Sequence, residues 1–342
     1  MIYINGTNIE LILAPMAEIT DAPFRIINKL YGADLVFTQM VSARGIANKH
    51  FDTLRYAVFN KDEKPIGIQL LAENIEFIDD AISEIKKLKP DVIDLNASCP
   101  ANDICNKGLG AKLLEYPDKL YKFLDKIIIT SKSIPVSVKL RLGYENIKIF
   151  EILDTIKDLP LKFITIHARK KSDFYSGIPY YDIVKKVKDN YDFKIVFNGS
   201  CFSLDDYITI KDKTNADAVM IARGALGNPF IFKQIKSYIE KQPFYFYDKY
   251  DILNAVKLHA ELIYKEYGPI NFAKMLRKYL CWYFMYFENF DKFVNEIYKI
   301  DDYKLMVDFL ESFVKNNSYL PNSEESLKNK NKFQERVLFW LS

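Results

Sequence analysis

The sequence predicts an α/β fold, a (β/α)8 TIM barrel carrying a C-terminal all-helical bundle, and three observations point there. Eight short, β-type apolar runs recur between residue 10 and about residue 240. Amphipathic helical stretches separate most of them. Past Gln242-Pro243 only helical periodicity remains. Continuous apolar strands alternating with helices need a parallel sheet covered on both faces. Eight such repeats close into a barrel, the alternative being an open doubly wound sheet.

The predicted strands span 11–14, 35–38, 66–70, 92–95, 136–140, 163–166, 195–197 and 218–221. Helical patterns between them cover 75–88, 118–131, 147–157 and 180–190. Beyond the barrel, helices are predicted over 255–267, 272–287, 290–313 and 324–341, with Gly268-Pro269 and residues 316–322 as breaks. Residues 1–242 thus form a barrel domain and 243–342 a helical one. A chain of 342 residues is long enough for both.

Composition narrows the class. Apolar residues at 49% and charged residues at 27% are ordinary for a globular protein. No run approaches the ~20 apolar residues of a membrane span. The N-terminus lacks the basic and apolar regions of a signal peptide, so a cytoplasmic protein is expected. Four cysteines without a CxxC pair, and three histidines, suit neither a disulfide scaffold nor a structural zinc site, and no metal is expected. A net charge of +3 leaves a polyanion only a local patch to bind.

Barrel enzymes work at the C-terminal ends of their strands, so the residues there carry the functional reading. They are Pro15-Met16-Ala17, Gln39, Gln69, Asn96 and Cys99, Lys139 and Arg141, His167 and Arg169, Asn198-Gly199-Ser200, and Arg223-Gly224. Amides, cations and one imidazole converge, with no carboxylate among them. Such a rim suits an electron-rich, planar ligand carrying a phosphate. Asn198-Gly199-Ser200 and Ala222-Arg223-Gly224 set small residues before helices expected near Ser203 and Leu226, where N–H groups meet an anion. The plainer alternative is that these glycines only make tight turns. Cys99, between Ser98 and Pro100 just past a strand, is placed to face a ligand, and its role is nucleophile, proton donor, metal ligand or none. Cys105 is a second thiol near the pocket or a small buried residue, and Cys201 and Cys281 read as structural. In the helical part Lys274, Arg277 and Lys278 share one face at i, i+3 and i+4. Leu276, Leu280, Tyr283 and Phe287 line another face. The basic face is either solvated or holds phosphates, with salt-dependent binding.

The ordered stretches LAPMAEITDAPFR (from Leu13), TQMVSARG (Thr38), IGIQL (Ile66), DLNASCP (Asp94), KGLGAKLL (Lys107), VKLRLG (Val138), IHAR (Ile166), FNGS (Phe197) and MIARGALGNPFIF (Met220) span the barrel. With RKYLCWYF from Arg277, the chain resembles the tRNA-dihydrouridine synthase family, nearest its bacterial B-type group. The resemblance implies FMN as cofactor, held by Pro15, Met16, Ala17, Gln69, Lys139, His167, Asn198, Gly199, Ser200, Ala222 and Arg223. It implies NADPH or NADH as reductant, although no GxGxxG fingerprint occurs. Cys99 becomes the general acid that protonates C5 of a uracil receiving hydride at C6. A proton donor must stay protonated, and no His or carboxylate lies within three residues after Cys99. Asn96 would contact the uracil or orient the loop. Arg44, Lys107, Arg141, Arg169 and Lys170 in the barrel, with Lys274, Arg277 and Lys278, would meet the tRNA. A flipped-out uridine is required, and a monomer is expected. Ser98, Ala168, Ser200 and Ala222 depart from the family pattern of Gly, Gly, Asp and Gly. The competing readings are an FMN-dependent dihydroorotate or dihydropyrimidine dehydrogenase and a non-catalytic tRNA-binding protein that retains flavin.

Overall fold

A computed structural model describes residues 1–324 and 326–330. In chain order its strands are β1 (Ile2–Ile4), β2 (Thr7–Ile9), β3 (Leu11–Leu13), β4 (Val36–Ser42), β5 (Ile66–Leu71), β6 (Val92–Ala97), β7 (Val136–Arg141), β8 (Phe163–His167), β9 (Ile195–Asn198) and β10 (Ala218–Ile221). Strands β4 to β10 pair in sequence, all parallel, and β10 returns to pair with β3. A parallel bridge between Ile12 and Leu35 joins β3 to the start of β4 and closes the ring. The open-sheet alternative is thereby excluded, and the predicted eight strands are the barrel strands.

The β1–β2 hairpin lay outside the predicted elements. Its two-residue loop is Asn5-Gly6, both at positive φ (48° and 81°), the geometry that matches the twist of a hairpin. Ile2, Ile4 and Ile9 join Ile12, Phe37, Val92, Phe163 and Ala218 in one buried cluster. These barrel residues sit toward the N-terminal strand ends, so the hairpin supplies apolar side chains to the end opposite the reactive one.

Register stacks the polar interior side chains in tiers. Gln69, Asp94 and Ser137 are Cα partners across β5, β6 and β7. Two residues further along, Asn96, Lys139 and Thr165 are partners. Arg141, His167 and Asn198 form the next tier. Residues two apart on a strand share a face, which is how one rim collects these groups.

The described residues form two compact units: residues 1–25 with 32–224, and residues 26–31 with those from 225 to 330. In the second unit helix Lys249–Phe284 starts earlier than predicted because Asp248 caps it, accepting from the Tyr250 and Asp251 N–H groups. At Gly268 it breaks, with φ 70° and ψ 175°, just before Pro269, so the two predicted helices are there. The single helix predicted over 290–313 is instead two, Phe290–Ile297 and Tyr303–Asn316. Asp302 caps the second, its carboxylate accepting from Leu305 N at 2.9 Å. Residues 326–330 are helical, and the rest of the helix predicted to run to 341 lies outside the described residues. No described helix is long and apolar enough to cross a membrane.

Candidate active site

Cys99 sits on a loop that starts where β6 ends, and two neighbouring side chains hold that loop. The Asn96 side-chain oxygen accepts from Ser98 N and Cys99 N, both at 3.0 Å. Arg141 Nε donates to Ser98 O at 2.8 Å. The thiol itself is half-buried. Burial pushes its pKa up, against the opposing pull of the Ala101 N–H and the Arg141 charge. That direction favours the protonated thiol over the thiolate that a nucleophile needs. Cys105 is buried, with its sulfur 3.5 Å from Cys99 O, and Cys201 and Cys281 are buried as well.

Facing the same mouth, Lys139 Nζ donates to Asn198 Oδ1 at 3.0 Å and to Ser98 Oγ at 3.3 Å. Asn198 Nδ2 in turn donates to Met220 O, which sets the orientation of its amide. Ser98, where the resemblance expects glycine, thus supplies a hydroxyl to the lysine. Burial, then the Arg141 charge, lowers the Lys139 pKa to about 7. His167 is held well below its ordinary value by burial and by Arg141, Lys139, Arg169 and Arg223. It is a neutral imidazole whose Nε2 accepts from Arg169 Nη1 at 3.3 Å.

One carboxylate escaped the strand-end reading. Asp94 lies one tier below Lys139, fully buried, accepting from Gln69 Nε2 at 2.8 Å and Ser137 Oγ at 2.7 Å. Burial raises its pKa to about 6. It lay inside an apolar run, and only the register shows that it faces the interior.

These two groups set a pH dependence. Asp94 holds a proton in the fold that the unfolded chain has lost between its ordinary value of 3.8 and about 6, so its contribution falls with rising pH there. Lys139 lacks a proton in the fold that the unfolded chain keeps between about 7 and 10.5, so its contribution rises over that window. In thermal unfolding of cofactor-free protein, wild type should gain stability relative to Lys139→Met as pH rises from about 7 toward 9. Parallel pH profiles for the two proteins would contradict this.

The other predicted site residues divide by placement. Pro15, Met16 and Ala17 form the turn after β3, where Met16 O accepts from Thr20 N and Thr20 Oγ1. Gly199, at φ 140°, and Ser200, at φ 48°, make the β9 loop, and Ser200 Oγ accepts from Arg169 Nη2 at 2.8 Å. A Cβ on Gly224 would lie 2.1 Å from Cys201 O, so glycine lets the β9 and β10 loops touch. Ala222 is half-buried between them, and the Arg223 guanidinium lies over Tyr175 and Phe202. The helix expected near Leu226 begins at Phe230, after a 3-10 turn over Arg223–Ala225.

Three arginines expected to meet the tRNA hydrogen-bond within the protein instead. Arg141 and Arg169 are each 1% exposed. Arg141 donates to Lys170 O and Phe174 O, and Arg169 to Ser176 O and Gly177 O. They hold the loop after β8 from beneath, so Arg169 is not a surface contact on the rim. Arg44 and Lys107 are exposed, and half-buried Lys170 pairs with Asp173. On the predicted basic helix face Lys274 is exposed and Lys278 half-buried, but Arg277 is engaged internally. It donates to Ile297 O at 2.9 Å, Ile300 O at 2.7 Å and Asp301 at 2.7 Å. Leu276, Leu280, Tyr283 and Phe287 are buried as predicted. Arg277→Ala should cost about 2 kcal/mol of stability, because charged hydrogen bonds to helix-end carbonyls are lost. Chemical denaturation of the variant checks this, and an unchanged midpoint would place Arg277 outside the fold's support.

Among the described residues no group of three or more His, Cys, Asp and Glu is arranged to hold a metal. The mouth of this parallel barrel gathers a thiol, a buried lysine and arginines, a set of cationic and proton-donating groups at the end where barrel enzymes carry their sites. The comparisons with known proteins make the class specific. The family described as dihydrouridine synthase matches residues 12–318. The tRNA-dihydrouridine synthase B of Pasteurella multocida (strain Pm70) is 31% identical over 323 residues, covering 93% of this chain and 96% of that protein. The one from Escherichia coli (strain K12) is 29% identical, over 90% of this chain and 96% of its own. The chain belongs to the dihydrouridine synthase family. Among solved structures, 6-hydroxypseudooxynicotine amine oxidase from Pseudomonas geniculata N1 is similar with a TM-score of 0.55 at 12% identity. The match covers 69% of this chain and 48% of that one, about half its length, and shows the fold alone.

Proposed function

We propose that this protein reduces the C5–C6 double bond of specific uridines in tRNA, using FMN in the barrel mouth and NADPH or NADH as reductant. It acts in the cytoplasm as a monomer. The observation that carries the reading is the protonated Cys99 thiol on a pinned loop, sharing one mouth with Lys139. Family membership over residues 12–318 extends through the helical unit, which an enzyme acting on free pyrimidines does not need.

The residues present fit a flavin mononucleotide. The charge of the mouth is cationic: buried Lys139, Arg141 and Arg169 and half-buried Arg223 against buried Asp94. An anionic ring and a phosphate would supply countercharge. Lys139, Gln69 and the turn at Pro15, Met16 and Ala17 would hold the ring. Asn198, Gly199, Ser200, Ala222, Arg223 and His167 would hold the ribityl phosphate. When bound, the flavin supplies hydride to C6 of the uracil.

The chain does the rest. Lys139, as a cation, would stabilise negative charge on a ring held in the mouth. Cys99 carries the proton for C5 on its sulfur, where burial keeps it until transfer. The thiolate then left is stabilised by the Ala101 N–H and by Arg141. Asn96 keeps the loop in place through the Ser98 and Cys99 amides. Exposed Arg44, Lys107 and Lys274, with half-buried Lys170 and Lys278, are the proposed contacts to tRNA phosphates. The purified protein should show flavin absorbance that bleaches with NADPH and returns with unmodified tRNA, leaving dihydrouridine. A protein that binds no flavin, or a tRNA left as uridine throughout, would overturn the proposal.

A further inference from the structure

Four polar side chains link the barrel interior to the Cys99 loop in one directed series. Ser137 Oγ donates to Asp94 Oδ1 at 2.7 Å, and Gln69 Nε2 donates to Asp94 Oδ2 at 2.8 Å. Because its nitrogen is taken, Gln69 presents its oxygen, which accepts from Asn96 Nδ2 at 2.8 Å. Because its nitrogen is taken in turn, Asn96 presents its oxygen to the amides of Ser98 and Cys99. An amide has two distinguishable ends, so each step dictates the orientation of the next. A carboxylate has none, being acceptor-only at both oxygens. The series takes its sense from both ends, from the acceptor-only Asp94 carboxylate and from the donor-only Ser98 and Cys99 N–H groups, and of the two only Asp94 is a side chain. Burial of all four side chains keeps water from substituting for any link.

We propose that Asp94 is a positioning residue for the reaction: by fixing the orientation of the Gln69 and Asn96 amides, it holds the Cys99 thiol in place for proton delivery. This rests on the reading of Cys99 as the general acid. Without the carboxylate the Gln69 amide loses the acceptor for its nitrogen, and its orientation and that of Asn96 are held only from the loop end, which weakens both. In the reversed orientation its nitrogen faces the Asn96 nitrogen. Asn96 then turns, and the Ser98 and Cys99 amides lose their acceptor. An asparagine at 94 restores the arrangement, its oxygen accepting from Gln69 and its nitrogen donating to the Ser137 hydroxyl.

The test compares Asp94→Ala and Asp94→Asn in the flavin-loaded protein. Two readouts are taken: the rate at which iodoacetamide alkylates Cys99, followed on its peptide by mass spectrometry, and kcat and KM for unmodified tRNA. For Asp94→Ala, kcat should fall about 10- to 100-fold with KM for tRNA little changed, as for a misplaced catalytic group. Alkylation of Cys99 should accelerate about tenfold as the loop is released. Asp94→Asn should recover most of both losses. Wild-type alkylation and kcat in Asp94→Ala would overturn the proposal, as would an Asp94→Asn protein as impaired as Asp94→Ala. Should Asp94→Ala not fold, Asp94→Leu, which fills the buried space without an acceptor, is read by alkylation instead: acceleration supports the role and an unchanged rate overturns it. If wild-type protein forms no dihydrouridine, the proposed function fails, whereas the alkylation contrast still decides what Asp94 does.

Discussion

Cys99→Ala should lower dihydrouridine formation by about 10²- to 10⁴-fold, the range for loss of a positioned general acid, while the protein keeps its flavin absorbance. The substitution removes one sulfur from a half-buried loop position whose backbone is held by Asn96 and Arg141 independently of the side chain. The loop and the mouth therefore persist. Only the proton source goes. Cys99→Ser should recover little, because a hydroxyl is a far weaker acid than a thiol. A Cys99→Ala enzyme with wild-type kcat would remove the thiol from the chemistry.

Lys139→Met should lower kcat by about 10²- to 10³-fold, the effect of removing one preorganised electrostatic contact to developing charge. The same change should stabilise the cofactor-free protein, since the lysine is buried and its charged form is disfavoured there. Opposite signs on stability and activity separate a functional lysine from a structural one. Thermal unfolding of cofactor-free protein and single-turnover kinetics of the loaded enzyme read the two effects. A variant both less stable and fully active would contradict the role assigned to Lys139.

Backbone organisation was legible in the sequence because parallel barrel strands are apolar on both faces. The runs around Val92 and Val136 mark themselves without help from neighbours. The β1–β2 hairpin was legible too, through Asn5-Gly6, but its strands are three residues each and fall before the repeating pattern. The break between Ile297 and Tyr303 was masked by apolar spacing that continues across it; the signal was Asp301-Asp302, a capping pair inside an apparent helix. For the site, position along a strand predicted which residues reach the rim, but not which way a long side chain turns. Arg169 follows a strand end and yet folds back onto the carbonyls of Ser176 and Gly177. Arg277 shares a helix face with Lys274 but reaches the end of the next helix. Asp94 was hidden for the opposite reason, as one carboxylate within an apolar run whose facing depends on register with Gln69 and Ser137.

Position-resolved mapping of dihydrouridine in tRNA tests the central claim most directly. The tRNA comes from a strain lacking this protein, complemented with wild type or with Cys99→Ala. Dihydrouridine should vanish from defined positions on deletion, return with wild type, and stay absent with Cys99→Ala. Unchanged dihydrouridine at every position after deletion, or full restoration by Cys99→Ala, would contradict the account.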